Sequence, residues 1–268
     1  MRATRPAGPR AVTVPRPSRS KSVGLRLGAL ALSVFAMSGG CASLPPRQPL
    51  PPDVLATLAT LEARWRDFHD LRSLAEIRIR RGTRIDRLSG VLLLRAPASL
   101  RFEALAPFGP PLLVVTSDAD AVTLWEVPNE RAFIARSSPD ATRRWLGLAL
   151  GAEELVSLLA GYALPPRDPL SGQMLPPDDM GPSVVFETAD GRQRIWLDAT
   201  SGDARLIEWT GGSQPARAVF TPDGVRLATL DDKLEVTVRY RDPQRNTGFD
   251  PELLKLTVPQ GVRIQDFR

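Results

Sequence analysis

The chain has 268 residues, 43% hydrophobic, 24% charged and 6% aromatic, a globular composition that excludes a disordered, collagenous or polytopic membrane protein. Its formal charge of +5 is concentrated at one end, because residues 1–40 hold seven basic side chains and no acidic one, whereas residues 41–268 carry 28 basic against 30 acidic. A near-neutral body argues against a nucleic acid partner, and a single cysteine excludes a disulfide framework.

Residues 1–26 are basic and rich in Pro and Ser, and they run into an apolar stretch at 27–37 (LGALALSVFAM) followed by Ser38-Gly39-Gly40-Cys41. This is the order of an export signal: basic, apolar, small at the cut. As a helix the apolar stretch spans about 16 Å, roughly half of what a membrane crossing needs. The cysteine after two glycines resembles the lipobox of bacterial lipoproteins, with Ser38 where that motif prefers Leu. The resemblance implies a lipoprotein-type signal peptide at 1–40, acyl chains such as palmitate on Cys41, and, with Ala42 rather than Asp next, an outer-membrane anchor. Residues 41–52, containing LPPRQPLPP, then read as a Pro-rich, semi-rigid spacer.

Asp53 can cap a helix whose apolar residues fall at Val54, Leu58, Leu61, Trp65, Phe68 and Leu71. From Ala75 the period changes to two, with Ala75, Ile77 and Ile79 alternating with Glu76, Arg78 and Arg80. Further strand patterns follow at 85–95, 99–106, 112–118, 121–127 and 130–136, which together predict an antiparallel meander. Helical patterns occupy 139–148 and 152–162, and a Pro/Gly-rich stretch at 164–182 reads as a long irregular loop. Strands resume at 183–190, 193–199, 204–210, 216–221, 225–230 and 233–241, with Asp-Gly and Ser-Gly turns between several of them. The reading is a mainly β, α+β domain at 53–268, with about ten to eleven strands and three helices. A closed core and a partly open apolar cavity both fit this content.

Motifs of catalysis are missing. The sequence contains no G-x-S-x-G elbow, no H-E-x-x-H, no Walker loop and no G-x-G-x-x-G. One His at 69 and one Cys at 41 cannot furnish both a nucleophile system and a metal site. Asp178-Asp179 and Asp231-Asp232 read as turn residues, and Glu153-Glu154 as acidic residues opening a helix. The run Arg78 to Arg81 reads as the wet face of a strand, or as a contact for anionic lipid head groups. The expectation is therefore not an enzyme, with no cofactor and no metal.

Residues 100–161 carry a recognisable order: Leu100-Arg101-Phe102-Glu103-Ala104-Leu105, then Ala106-Pro107-Phe108-Gly109, then Pro111-Leu112-Leu113-Val114-Val115. Later come Arg144-Trp145-Leu146-Gly147-Leu148 and Glu154-Leu155, Leu158-Leu159 and Gly161. Together they resemble the LolB family of outer-membrane lipoprotein receptors. The end of the chain, from Phe249-Asp250-Pro251 to Val258-Pro259-Gln260-Gly261-Val262, looks more like the tail of the periplasmic LolA carriers. The resemblance covers about 200 residues in pattern and about 60 in detail.

It implies an unclosed antiparallel β-barrel with a helical lid over an apolar cavity. It also implies a monomer that takes acylated lipoproteins from a LolA-like carrier and places them in the outer membrane from the periplasmic face. In the receptor branch an exposed apolar residue between two strands meets the membrane, and Pro107, Phe108 and Gly109 match that loop, with Phe108 where the family has Leu. A Phe108 folded back beneath its Pro-Gly turn is the alternative. Candidates for the cavity lining are Leu93, Phe102, Leu113, Val115, Trp125, Phe133, Trp145, Leu155, Leu159, Trp196 and Trp209, each of which could equally be core, since one sequence does not fix strand register. Three other readings remain: an envelope lipoprotein binding a different lipid or glycolipid, a non-catalytic LolA-like protein-interaction or envelope-stress module, and, last, a hydrolase.

Overall fold

A computed structural model describes residues 47–212 and 214–267. The signal segment, Cys41 and the first half of the spacer lie outside the described residues. Helix α1 (Pro52–Arg66) is capped by Pro51 rather than by Asp53, with Pro52 at the first helical position, where its fixed φ suits the turn and its missing N–H costs nothing. Asp53 instead sits in the first turn, at the positive end of the helix dipole. The helix ends at Arg66, so Phe68 and Leu71, expected on its apolar face, belong to the connection and to the first strand. Both are buried all the same, and the Phe68 ring packs between Trp65 and Tyr162, with centroids 5.4 and 5.5 Å away.

The first half of the sheet is a meander of hairpins, β1 (Asp70–Arg81), β2 (Arg84–Arg95), β3 (Ser99–Ala104), β4 (Leu113–Ser117), β5 (Ala121–Glu126) and β6 (Arg131–Arg136). Helices α2 (Pro139–Leu146) and α3 (Ala152–Ala160) follow. The second meander contains β7 (Ser171–Asp178), β8 (Gly181–Thr188), β9 (Gly191–Leu197), β10 (Ala204–Thr210), β11 (Ala216–Thr221), β12 (Gly224–Thr229) and β13 (Leu234–Arg245), and a last strand is β14 (Arg263–Asp266). All fourteen form one sheet in the order β14-β6-β5-β4-β3-β2-β1-β13-β12-β11-β10-β9-β8-β7. Every pairing is antiparallel except the parallel one of β14 with β6, and the two ends do not meet. The fold is thus mainly β, an unclosed barrel-like sheet with three helices.

Two strands lie where none was expected. The segment 164–182 contains β7, whose Pro176 and Pro177 are tolerated because β7 is the terminal strand and a bulge interrupts its pairing between Leu175 and Asp178. Strand β14 is exposed along its length, so it has no alternation to read.

Alternate residues of the sheet face inward onto one continuous core. Over the second half, α1 lies against β7, and the space above Gly172 is taken up by Phe186, Leu50 and Val54. Over the first half lie the shorter α2 and α3. Ser138 caps α2 by accepting from the Ala141 N–H at 3.2 Å, and Gly147 ends it at φ +89°. That left-handed φ favours glycine, and a Cβ there would also press on the end of the Leu234 side chain at 2.6 Å. The chain after β13 crosses the outer face, where a 3-10 turn at Pro251–Leu254 packs on β3 and Arg101 donates to the Lys255 carbonyl. Among the described residues no helix is long and apolar enough to cross a membrane.

Candidate functional site

Between α2, α3 and the inner face of the first half lies an apolar cavity of about 190 Å³. Its walls are Ile77 and Ile79 of β1, Leu88 and Leu92 of β2, Leu100 and Phe102 of β3, Leu113, Val115 and Ser117 of β4, and Val122 and Leu124 of β5. The seam strands add Leu227, Val236 and Val238, and the cover is Thr142, Trp145, Leu146, Leu155 and Leu159. Only two of these residues are polar. The Thr142 hydroxyl is held by the Leu150 carbonyl at 2.6 Å, whereas the buried Ser117 hydroxyl has no partner among the described residues.

Of the residues singled out from the sequence, Phe102, Leu113, Val115, Trp145, Leu155 and Leu159 converge on this cavity. Leu93 does not. It lies one residue out of phase with Leu92 and Leu94, on the outer face under the C-terminal segment, beside Leu253 and Lys255. Trp125 faces outward too, because its partners Val114 and Ala132 belong to the outer face. Trp196 is on the outer side of β9, where Arg194 stacks over its ring at 4.0 Å and its indole N–H donates to Asp178. That N–H is the largest influence holding the Asp178 carboxyl below its ordinary range. Phe133 lies on β6 beyond the cavity wall, with the Arg131 guanidinium 5.2 Å over its ring. Trp209 packs on the core next to a separate cleft of mixed polar and apolar lining at the α2–α3 turn. The wall residues not singled out, such as Ile77, Leu88 and Val236, continue an alternation already visible in β1.

The loop 105–112 leaves from β3 and β4, the strands that carry Phe102, Leu113 and Val115. Its root is closed by the Leu112 N–H donating to the Ala104 carbonyl and by the Leu105 N–H donating to the Ser89 carbonyl, both at 2.8 Å. Beyond that root Phe108 is 94% exposed, and Leu105 and Leu112 are 47% and 44% exposed. Gly109 takes φ +92° and has open space around it, so the Pro107-Phe108-Gly109 turn projects its aromatic ring away from the core. Pro107, Pro110 and Pro111 restrict the backbone, which lowers the entropy of holding the tip out.

The cover is pinned at its ends. Arg81 donates to the Trp145 carbonyl at 3.2 Å, and Gln214 joins the Ala149 N–H to the Gly147 carbonyl. At the far end Tyr240 donates to the Leu159 carbonyl and Arg245 to the Ala160 carbonyl, both satisfying the last turn of α3. Burial pushes the Tyr240 phenol above its ordinary range, so it stays a donor. At the start of α3, burial pushes the Glu154 carboxyl up to about 7, against the opposing pull of the Gly151 N–H that it accepts at 3.4 Å.

No protein-family model matches the chain, and no curated protein matches it. Solved structures do. A domain named for outer membrane lipoprotein sorting, from Vibrio parahaemolyticus, superposes with a TM-score of 0.54 at 12% identity, over 74% of this chain and 94% of its own. The fold is LolA-like. A LolA superfamily protein from Nitrosomonas europaea superposes with a TM-score of 0.50 at 9% identity, over 75% of this chain and 97% of its own. A DUF1329 family protein from Desulfovibrio piger gives 0.54 at 10% identity, again over 75% and 97%. At such identities the likeness is one of architecture.

Proposed function

We propose that this LolA-like protein is a non-catalytic outer-membrane lipoprotein, anchored through acylated Cys41 on the periplasmic face, that receives lipoproteins from a periplasmic carrier and delivers them to the membrane. The observation that carries the reading is a 94%-exposed phenylalanine on a proline-braced loop whose flanking strands line an apolar cavity. Each buried CH₂ is worth about 0.8 kcal/mol, so several acyl chains in water represent tens of kcal/mol. A cavity lined almost wholly by aliphatic and aromatic side chains can hide them. At about 190 Å³ it is smaller than the roughly 300–1,000 Å³ of ligand pockets, so loading requires α2 and α3 to move off the sheet. Burying Phe108 in the bilayer returns about 1.5–3 kcal/mol and holds the cavity at the surface that receives the chains. The LolA-like solved structures, one named for lipoprotein sorting, agree with a role in handling acyl chains.

The test is transfer. Residues 42–268 are mixed with liposomes and a carrier loaded with labelled lipoprotein, and wild type is compared with Phe108→Glu. Label is expected to reach the liposomes with wild type and to stall on the Phe108→Glu protein, with delivery slowed at least about tenfold. A wild type that never takes up the label overturns the receptor reading and leaves another lipid as cargo.

A further inference from the structure

We infer that the outer face of the sheet beside the 105–112 loop is a seat for anionic phospholipid head groups. The inference rests on the membrane-delivery reading and names the lipid chemistry that the loop meets.

Strand register sets the row. Arg87 of β2 lies opposite Arg78 of β1, Arg78 opposite Thr237 of β13, and Thr237 opposite Arg226 of β12. Arg239 stands two residues along from Thr237, on the same face. All four arginines are exposed, and among the described residues none has an ion pair or a side-chain hydrogen bond. Of the three carboxylates in the groove that these arginines line, Glu76 pairs with Arg241 and Glu235 with Arg80 at 3.6 Å, while Asp223 accepts from the Thr221 hydroxyl at 2.9 Å and keeps its charge, so the arginines outnumber the carboxylates left to them. Like charges directly opposite one another destabilise a strand pair. Arg78 and Arg87 are such a pair, and no carboxylate stands directly opposite either, so an anion from outside relieves the repulsion between them.

The four arginines line this groove with the hydroxyl residues Ser89, Thr221 and Thr237, and with the three carboxylates named above. Guanidinium groups and hydroxyls are the donors that recognise phosphate. The groove also adjoins the root of the apolar loop, because the Leu105 N–H bonds to the Ser89 carbonyl two residues from Arg87. An apolar loop rooted beside a face with an excess of arginines is an arrangement that binds an anionic bilayer: the ring enters the acyl region while the cations stay among the phosphates.

The test is flotation of residues 42–268, which contain the whole folded unit and its core, with vesicles of phosphatidylcholine alone or with phosphatidylglycerol added, at low and high salt. Each arginine is expected to contribute on the order of fivefold to binding of the anionic vesicles. Wild type should therefore prefer them by at least tenfold at low salt and lose that preference at high salt. The combined Arg78→Gln, Arg87→Gln, Arg226→Gln variant, with its thermal unfolding checked against wild type, should lose most of that preference and keep no more than the roughly fivefold share of Arg239. Phe108→Glu should weaken binding to both and keep the anionic preference.

A triple variant that keeps the wild-type preference, or a wild type that shows none, overturns the inference, and binding of the basic face to an acidic carrier protein but not to vesicles does so too. If Phe108→Glu changes nothing while the arginine variant loses most of the preference, the inserted-loop reading fails and the head-group seat stands.

Discussion

On the β7–β10 side of the sheet the inner face carries Phe186, Ile195 and Ile207, all fully buried in a core that α1 shares. On the β1–β5 side it carries Ile77, Val115 and Leu124, half-buried around a void. The side chains are alike and the alternation is the same, so the difference comes from the cover. Helix α1 has 15 residues along which to fill the space, whereas α2 and α3 have eight and nine and are pinned at their ends. A core becomes a cavity here through what lies above the sheet, not through the sheet itself.

Substitutions that remove volume from the two sides should break the symmetry most strongly. Phe186→Ala should destabilise the protein by about 3–5 kcal/mol in urea denaturation, because it opens a new hole in packed surroundings. Val115→Ala only enlarges an existing space, and about 1 kcal/mol is expected. Equal losses would mean that the first half is packed as tightly as the second.

The start of α3 gives a smaller, pH-dependent effect. Glu154 holds its proton up to about 7 when folded, against an ordinary 4.5, so the unfolded chain ionises first as pH rises. Its contribution to stability is fully present below about pH 4.5 and is lost progressively toward and just above pH 7. Glu154→Gln, which keeps an acceptor for the Gly151 N–H, should match wild type at pH 4 and exceed it at pH 8. The gain should be on the order of 1 kcal/mol, since the residue still reaches solvent. A difference that does not change with pH would remove the buried-acid account.

Smallest of all should be Ser117→Ala. It deletes the unpartnered hydroxyl in the cavity wall and should raise stability by up to about 1 kcal/mol in the same urea experiment. A loss instead would show that the hydroxyl has found a partner in solution.

Most of the strands were legible because one face of each is wet, and Ala75, Ile77 and Ile79 against Glu76, Arg78 and Arg80 is the plainest case. Legibility failed where both faces are covered. Val91-Leu92-Leu93-Leu94 is a continuous apolar run because the C-terminal segment lies over its outer side, so nothing local tells Leu93 from its neighbours. Strand β14 was hidden for the opposite reason, since it sits at a sheet edge where backbone pairing persists without a buried face, and β7 because Gly172, Pro176 and Pro177 break its pattern. The exposure of Phe108 followed from its Pro and Gly flanks, while the cavity depended on helix length and placement that no residue pattern encodes.

The seam between β1 and β13 has a consequence for how the molecule is made. Every other antiparallel contact in the sheet joins strands that are consecutive in the chain, so each meander can assemble from local hairpins as it emerges. The seam joins the first strand to the thirteenth, and the cavity takes walls from both, Ile77 and Ile79 on one side and Val236 and Val238 on the other. Closing so long a loop costs chain entropy before its contacts offset it. The compartment is therefore among the last parts of the protein to exist, formed only after nearly all of the chain has been delivered.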